Sequence, residues 1–271
     1  MSSRGFHRGM RAFWYVMLFF LYAPLAVVAL YSFNSINSSA VFAGVSLRWY
    51  AQLFSDETIL NAFYNSLTLA ITSSIIATVI GTLLGYGMYT YRNRRLGWLI
   101  WLVYLPIVMP DIVYGISQMS FFTSISNATG LFQLGLGTMV IAHVSFQVPF
   151  VALLIYSRLV GLDAMLFEAC HDLYAKGWQR AWYFILPTLR PAIVSSFFLA
   201  FTLSIDDFVI SFFTSGPESV TLPIFIWSAI KKGVTPEVNA IATLMIGAVF
   251  AAAVIALAFQ YVRAARPRAA D

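Results

Sequence analysis

The stretch Pro191–Phe213, PAIVSSFFLAFTLSIDDFVISFF, is apolar apart from a few hydroxyl side chains and the adjacent carboxylates of Asp206 and Asp207. A membrane helix needs about 20 consecutive, mainly apolar residues to cross a hydrocarbon core of about 30 Å. This stretch is long enough, and it predicts a helix inside a bilayer. The two carboxylates are the feature of this helix that requires an explanation.

The composition of the whole chain agrees with a membrane protein. Hydrophobic residues make up 60% of the 271 residues and charged residues only 10%, whereas about a quarter of the residues in soluble domains are charged. The single cysteine, Cys170, excludes an internal disulfide bond. The net charge of +5 comes from basic residues scattered over short connections, which indicates a membrane surface and argues against nucleic-acid binding.

Five further apolar runs reach spanning length, so the sequence predicts an all-α integral membrane protein with six transmembrane helices in a single domain, residues 1–271. The predicted spans are residues 12–33, 65–90, 97–122, 134–157, 191–213 and 239–262. The first follows a basic leader, but its apolar core is long and no small-residue cleavage site precedes YSFNSIN. We therefore interpret it as a retained helix.

The basic residues predict the orientation, because cytoplasmic loops carry an excess of Lys and Arg. With both termini in the cytoplasm (N-in/C-in), only Arg48, Lys231 and Lys232 of the 16 basic residues lie outside. The other thirteen are cytoplasmic: Arg4, Arg8, Arg11, Arg92, Arg94, Arg95, Arg158, Lys176, Arg180, Arg190, Arg263, Arg266 and Arg268.

The two long outer loops each predict a short helix. In residues 34–64, Ser46 is a candidate N-cap for an interfacial helix that carries Trp49 and Tyr50. In residues 214–238, prolines interrupt the chain around IFIWSAIKKG, which predicts a short helix or re-entrant segment.

The connection between the fourth and fifth spans, residues 158–190, contains a predicted amphipathic helix with Asp163 as candidate N-cap. Acidic Glu168 and Asp172 precede basic Lys176, the order that a helix dipole favours. Such a helix lies at the membrane surface and projects as a knob towards a partner in the cytoplasm; an ordinary interfacial helix without a partner is the alternative. The apolar residues at helical spacing are Leu166, Ala169, Cys170, Leu173 and Tyr174.

In this loop the chain resembles the permease subunits of ATP-binding-cassette (ABC) importers. Their motif is Glu-Ala-Ala, three residues, Gly, nine residues and Ile-x-Leu-Pro. This chain has Glu168-Ala169-Cys170 and, at the matching distance, Leu186-Pro187. Cys170 replaces the second Ala, Tyr174 the Gly and Phe184 the Ile.

The resemblance implies that the 163–187 loop forms a coupling helix, which docks in a cleft of a separate ATPase subunit with Glu168 making a polar contact there. Tyr174 stands at the position of a Gly, which can adopt a positive φ that Tyr avoids. The residues implied in ATPase coupling are Glu168, Ala169, Cys170, Asp172, Leu173, Tyr174, Leu186 and Pro187.

Other segments resemble the spermidine/putrescine importer permeases of the PotC/PotI type, over nearly the whole chain. These segments are YAPLAVVALYSFNS, LPIVMPDIVYGIS, AHVSFQVPFVALLIYSRL, LAFTLSIDDFVISFFTSGP and GVTPEVNAIATL. The resemblance implies a type I ABC importer permease fold in the bacterial cytoplasmic (inner) membrane. It also implies a second homologous permease subunit, two cytoplasmic ATPase subunits that bind ATP-Mg, and an extracytoplasmic polyamine-binding protein. No cofactor is expected on this chain itself.

Three carboxylates inside predicted spans, those of Asp111, Asp206 and Asp207, are candidates for a substrate path, because a charge at the bilayer centre costs about 2.5 to 3.5 kcal/mol on insertion scales. Counted along continuous helices at about 1.5 Å per residue, Asp111 and Asp206 lie at one depth in the outer half of the membrane. Carboxylates at one depth suit a linear polycation whose ammonium groups have lost their water. Tyr114, one turn after Asp111, is a candidate cation–π contact.

Structural roles for the same carboxylates remain open. Asp111 could cap a helix that restarts after Pro106 and Pro110, and the Asp pair could bond to a neighbouring helix or a sister subunit. Adjacent side chains on a helix diverge by about 100°. We therefore predict that one of Asp206 and Asp207 faces the path and that a neighbour holds the other.

Two further patterns predict how the helices pack. His143 and Gln147 lie one turn apart on the fourth span, which predicts interhelical hydrogen bonds. Gly81 and Gly85 form a Gly-x-x-x-Gly pattern, which predicts a close approach between two helices.

The sequence contains no P-loop, Ser/His/Asp arrangement or metal-ligand cluster that we recognise, so we expect a transport subunit and not an enzyme. The first hypothesis is the permease of an ATP-driven polyamine importer. A permease of the same fold for another substrate, such as ferric iron or an aminophosphonate, is the alternative. An ion-coupled secondary transporter or channel is a third hypothesis, for which inverted repeats would be expected.

Overall fold

The computed structural model describes residues 3–38, 41–91 and 97–265, and most of these residues are helical. A π-helical turn, Arg180–Ile185, lies between the eighth and ninth helices. Arg92, Arg94, Arg95, Arg266 and Arg268, which support the predicted orientation, lie outside the described residues. The helices are α1 Ser3–Tyr31, α2 Arg48–Leu53, α3 Glu57–Thr90, α4 Gly97–Val108, α5 Asp111–Thr129, α6 Leu136–Val160, α7 Ala164–Asp172, α8 Gly177–Gln179, α9 Leu186–Ile205, α10 Val209–Thr214, α11 Leu222–Lys232 and α12 Pro236–Ala265.

The chain divides into two compact units. The terminal unit combines Met1–Leu60 with Ile226–Asp271, and the central unit is Asn61–Phe225. In the terminal unit, α1 and α2 both pack against α12. The candidate site residues all belong to the central unit.

The predicted short helix of the first outer loop is confirmed as α2, but its tryptophan is not interfacial. Ser46 Oγ accepts the Arg48 N–H at 3.2 Å, while Leu47 is the N-cap residue. Trp49 is buried, and its indole N–H donates to the Asn34 carbonyl at 2.6 Å. A buried indole needs such an acceptor, so Trp49 stabilises the loop and does not face the membrane interface. The predicted helix of the second outer loop is present as α11.

The central unit is built around α6, which packs against α4, α5, α9 and α10. The Gly-x-x-x-Gly prediction is confirmed where α3 meets α6. A Cβ atom on Gly81 would lie 2.6 Å from the Val151 Cβ atom, and one on Gly85 would lie 2.5 Å from the Ala152 carbonyl oxygen. Only glycine permits this approach of the two backbones. Between α6 and α9 the fully apolar part of the core comprises Val151, Ile155, Leu159, Leu189, Ala192 and Ala200.

Four helical segments of the described chain are long and apolar enough to cross a membrane: His7–Tyr31, Glu57–Thr90, Leu136–Val160 and Gly177–Ile205. A fifth segment combines Ile100–Val108 with Asp111–Thr129, which meet at an angle of 105°. The third predicted span is therefore not one straight helix, because Pro110 cannot continue α4 and the chain turns there. The helix α12 contributes a shorter apolar part, Pro236–Ala251. Six spans and the N-in/C-in orientation stay predictions.

Candidate functional site

The two adjacent carboxylates lie in a break between two helices. The helix α9 ends at Ile205 and α10 begins at Val209, so the prediction of a continuous helix over residues 191–213 is wrong. Asp207 Oδ2 accepts the Ser211 N–H at 2.8 Å and its Oδ1 accepts the Ile210 N–H at 3.3 Å. An Asp that binds the first free N–H groups of a helix favours a new helix start over continuation of the preceding one.

Asp207 also contacts the neighbouring helix α6. Its Oδ2 lies 3.4 Å from His143 Nε2, and both side chains are nearly buried, with exposed fractions of 1% for His143 and 10% for Asp207. The same Nε2 lies 3.0 Å from Ser211 Oγ, and Nδ1 lies 2.8 Å from Ser204 Oγ. His143 therefore bridges the end of α9 and the start of α10, on either side of the break.

The polar network continues to α3. Ser73 Oγ donates to Ser204 Oγ at 3.3 Å, and Gln147 Nε2 donates to Ser73 Oγ at 3.2 Å. The interhelical bonding predicted for His143 and Gln147 is thus confirmed. Buried hydrogen bonds thus join four helices, α3, α6, α9 and α10, and such bonds are shielded from water and fix how helices align.

Asp206 has different surroundings from Asp207. It is the C-cap residue of α9 and it is exposed. Asp207 is thus held by a neighbouring helix, as predicted for one member of the pair, and Asp206 is exposed. The expectation that the other member faces a substrate path stays a prediction.

Asp111 is exposed and occupies the first position of α5. The N-cap residue is Pro110, which makes no side-chain capping bond, and the acidic side chain in the first turn is favoured by the helix dipole. The bend before α5 removes the basis for equating the depths of Asp111 and Asp206, since that comparison assumed continuous helices.

The elements that carry these carboxylates nevertheless pack together. A Cβ atom on Gly115, one turn after Asp111, would lie 2.8 Å from the Phe213 ring and 3.4 Å from the Val209 carbonyl oxygen. Because Val209 closely follows Asp206, the start of α5 and the break before α10 lie in one region of the central unit.

Tyr114 is part of the packing between α5 and α6. Its ring is buried, its hydroxyl lies 2.6 Å from Ser145 Oγ, and its ring centroid is 5.8 Å from that of Phe146. Gln118 Nε2 also donates to Ser145 Oγ, at 3.1 Å. In this arrangement Tyr114 positions the start of α5, which carries Asp111.

The predicted amphipathic helix of the 158–190 connection is α7. Its N-cap prediction is confirmed, since Asp163 Oδ1 accepts the Met165 N–H at 3.0 Å. Glu168 is exposed, and so are the apolar side chains of Leu166 and Leu173. Cys170, on the same predicted face, is half-buried.

The C-terminal end of α7 closes around Tyr174, which adopts a φ of 51°. The Ala175 N–H donates to the Cys170 carbonyl at 3.2 Å, the bond of a helix end closed by one left-handed residue. Tyr thus adopts the positive φ expected of the Gly in the motif, and its side chain is 93% exposed. Asp172 lies in the last turn of α7 and not early in the helix, so the predicted dipole argument is wrong for this residue.

The remaining motif residues connect α7 to the membrane part. Leu186 and Pro187 begin α9, directly after the π-helical turn, and Ile185 of that turn is buried against the core of α6 and α9. Ala169 and Cys170 lie within α7. The motif therefore spans one exposed helix and the start of a membrane helix.

The sequence did not point to Ser73, Ser204 and Ser211 as members of the network. A lone serine in an apolar helix is common and carries no distinguishing signal.

Known proteins resemble this chain over most of its length. A sequence profile described as "Binding-protein-dependent transport system inner membrane component" matches residues 77–269. The chain is 40% identical over 232 residues to the putrescine transport system permease protein PotI of Escherichia coli (strain K12), covering 85% of this chain and 83% of that protein. It is 38% identical over 244 residues to the spermidine/putrescine transport system permease protein PotC of Haemophilus influenzae (strain ATCC 51907 / DSM 11121 / KW20 / Rd), covering 90% and 92%.

A solved structure is also similar. A chain from the crystal structure of a bacterial ABC transporter involved in the import of the acidic polysaccharide alginate superposes with a TM-score of 0.75 at 16% identity, covering 97% of both chains. At this identity the likeness concerns the fold alone.

Proposed function

Because the chain belongs to the family of binding-protein-dependent transport system inner membrane components, we propose that it is the permease subunit of an ATP-driven polyamine importer. Spermidine or putrescine is the cargo. The relatives that cover most of the chain are permeases named for these two compounds, and the exposed carboxylates described above suit them chemically.

Asp206 carries the proposal for the substrate path. It is exposed at the end of α9, in the region where α5, which carries Asp111, packs against α10. An ammonium group that leaves water needs an anionic partner, and hydrogen bonds to charged groups contribute about 1.5 to 3 kcal/mol. Two exposed carboxylates in one region supply such partners for a molecule with several ammonium groups.

Asp207 supports the path indirectly in this proposal. Its carboxylate binds two N–H groups of α10 and faces His143, so it is committed to the protein. By fixing the break between α9 and α10, it holds Asp206 in the exposed position. Tyr114 fixes the start of α5, and with it Asp111, through its hydrogen bond to Ser145 on α6.

The energy for transport comes from elsewhere in the complex. We assign α7 as the coupling helix, with Glu168 and the exposed apolar side chains of Leu173 and Tyr174 contacting a separate ATPase subunit that binds ATP-Mg. The full importer contains this chain, a homologous second permease subunit, two ATPase subunits and an extracytoplasmic polyamine-binding protein.

A permease for an anionic aminophosphonate fits the carboxylates less well, since Asp206 and Asp111 would repel the cargo. A ferric iron permease remains the competing candidate, because carboxylates also suit a hard cation. An ion-coupled secondary transporter is a different class from the family of this chain.

The proposal is tested by co-purifying the chain with its partner subunits and measuring ATP hydrolysis with the binding protein loaded with spermidine, putrescine, ferric iron or an aminophosphonate. Stimulation by a polyamine and by neither other compound supports the proposal. Stimulation only by ferric iron or only by the aminophosphonate would contradict the polyamine substrate, while the assignment of the chain as a permease subunit would stand.

A further inference from the structure

The segment Gly177–Ile185, which joins the coupling helix to α9, has one buried face and one aromatic face. Ile185 is buried, and Phe184 packs against the same core of α6 and α9. On the outer face the side chains of Trp178, Trp182 and Tyr183 are 61%, 64% and 70% exposed. We call these three residues the aromatic face.

The length of α9 sets the depth of this aromatic face in a membrane. The twenty residues of α9 span about 30 Å at 1.5 Å per residue, which equals the thickness of a hydrocarbon core. Helical structure continues without interruption from Gly177 to Ile205. With α9 across the hydrocarbon, Gly177–Ile185 lies at the level of the lipid headgroups on the side of the coupling helix.

The three aromatic side chains of the segment Gly177–Ile185 are of the types found at the level of the lipid headgroups. Trp and Tyr are enriched where membrane and water meet, because their rings are apolar and their N–H or O–H groups are polar. These three rings are therefore suited to a headgroup layer, whereas in open water they would expose a large apolar surface.

Basic residues flank the aromatic face. Lys176 before it and Arg190 after it are exposed. Arg190 lies one turn inside α9, and because helical side chains lean towards the N-terminus, its guanidinium can extend back to the headgroups. A lipid phosphate supplies the acceptor that these cations need.

We propose that the aromatic face, Lys176 and Arg190 form a binding surface for the headgroups of anionic lipids in the leaflet beside the coupling helix. This surface fixes the depth of α9 and holds the segment that connects the coupling helix to the membrane. It requires only that the chain spans a membrane, which its family establishes, and it does not depend on the substrate being a polyamine.

The alternative occupant is the ATPase, and labelling of the complete importer in lipid nanodiscs distinguishes the two. In a Cys170→Ala background, which removes the only cysteine, Trp182→Cys carries a fluorophore. Leu173→Cys is the matched control, because Leu173 directly follows α7 and is also exposed. Trp178→Cys replaces Trp182→Cys if that variant does not fold.

The label at position 182 should lose fluorescence with a quencher attached to lipid headgroups, with or without the ATPase. The label at position 173 should respond instead to aqueous iodide and become protected when the ATPase binds. The proposal is overturned if the label at 182 ignores the lipid quencher, or if only the ATPase protects it.

The anionic preference is tested separately by the partitioning of spin-labelled phosphatidylglycerol and phosphatidylcholine around the permease. Lys176→Gln and Arg190→Gln should each reduce the preference for phosphatidylglycerol by about fivefold, the equivalent of about 1 kcal/mol per basic residue near an anionic surface. Lys232→Gln, predicted on the other side of the membrane, should leave it unchanged. If wild type and both variants show the same preference for phosphatidylglycerol over phosphatidylcholine, Lys176 and Arg190 do not bind anionic lipids as proposed.

Discussion

His143 Nε2 lies 3.4 Å from Asp207 Oδ2, and this contact ties α6 to the break between α9 and α10. The same carboxylate accepts the N–H groups of Ile210 and Ser211. One side chain therefore starts α10 and fixes it to the centre of the bundle. This relationship separates Asp207, which holds the structure, from Asp206, which is exposed.

Replacing Asp207 should destabilise the protein more than replacing its neighbour. Asp207→Ala leaves buried donors without their acceptor, at a cost of about 1 to 3 kcal/mol, whereas the exposed Asp206→Ala should have a small effect. Thermal unfolding in nanodiscs measures the difference, and each kcal/mol lowers the melting temperature by about 2 to 4 °C for a domain of this size.

The partner of Asp207 can be identified with a double-mutant cycle. Asp207→Ala and His143→Ala should be non-additive, because each removes the same contact. Equal melting temperatures for the Asp206 and Asp207 variants, or additive effects of the pair, would count against the assignment.

The packing of α3 on α6 gives a second prediction with an internal control. Gly85→Ala would place its Cβ atom 2.5 Å from the Ala152 carbonyl oxygen, whereas nothing lies within 4 Å of the corresponding position at Gly87. Gly85→Ala should lower stability, by about 1 to 3 kcal/mol for an overpacked site. Gly87→Ala should be neutral or stabilising, since Ala favours a helix by about 1 kcal/mol over Gly. Similar unfolding curves for the two variants would show that α3 and α6 do not approach as described.

Much of this organisation was predictable from the sequence. The spacing from Glu168 to Pro187 carried the resemblance to ABC importer permeases, and the family and the type I fold are confirmed by the comparisons. Gly81 with Gly85, and His143 with Gln147, also behaved as predicted, because one-turn spacing places both residues of a pair on one helix face.

The break before α10 and the positive φ of Tyr174 could not be predicted, because they depend on contacts beyond the local sequence pattern of one helix. The break at Asp206–Phe208 follows from the bonds of Asp207 to α10 and α6, and the sequence of this run does not reveal these bonds. Tyr174 adopts a positive φ because the helix end is closed by the bond from Ala175 to Cys170, so local geometry overrides the intrinsic preference of Tyr.

Tyr174 provides a third prediction, in which stability and coupling change in opposite directions. Tyr174→Gly relieves a left-handed conformation that costs a non-glycine residue about 1 to 2 kcal/mol, so hydrogen exchange at the Ala175 amide should slow. The same change removes an exposed ring beside the end of α7 and, if α7 is the coupling helix as proposed, should weaken binding of the ATPase. Tyr174→Asn, which also tolerates this conformation, separates the loss of the ring from the gain in backbone freedom. Unchanged ATPase binding in both variants would remove Tyr174 from the interface.

The proposed role of α7 as the coupling helix gives the fourth prediction. Glu168→Ala combined with Leu173→Ala should reduce ATPase binding and transport while membrane insertion stays normal, because both side chains are exposed. Asp163→Asn is the matched control, since Asn is as good an N-cap as Asp and the helix is kept. Normal ATPase association in the double variant would show that α7 is not the docking element.

The most direct test of the central claim is uptake of labelled spermidine and putrescine by proteoliposomes that contain the complete importer with either wild-type permease or Asp206→Asn. We predict ATP-dependent uptake by the wild type and a decrease of about tenfold or more for Asp206→Asn, since a charge-assisted hydrogen bond contributes about 1.5 to 3 kcal/mol. Glu57→Gln, an exposed carboxylate at the start of α3, should transport normally. Absence of polyamine uptake by the wild type would contradict the proposed substrate, and unchanged uptake by Asp206→Asn would contradict the proposed path.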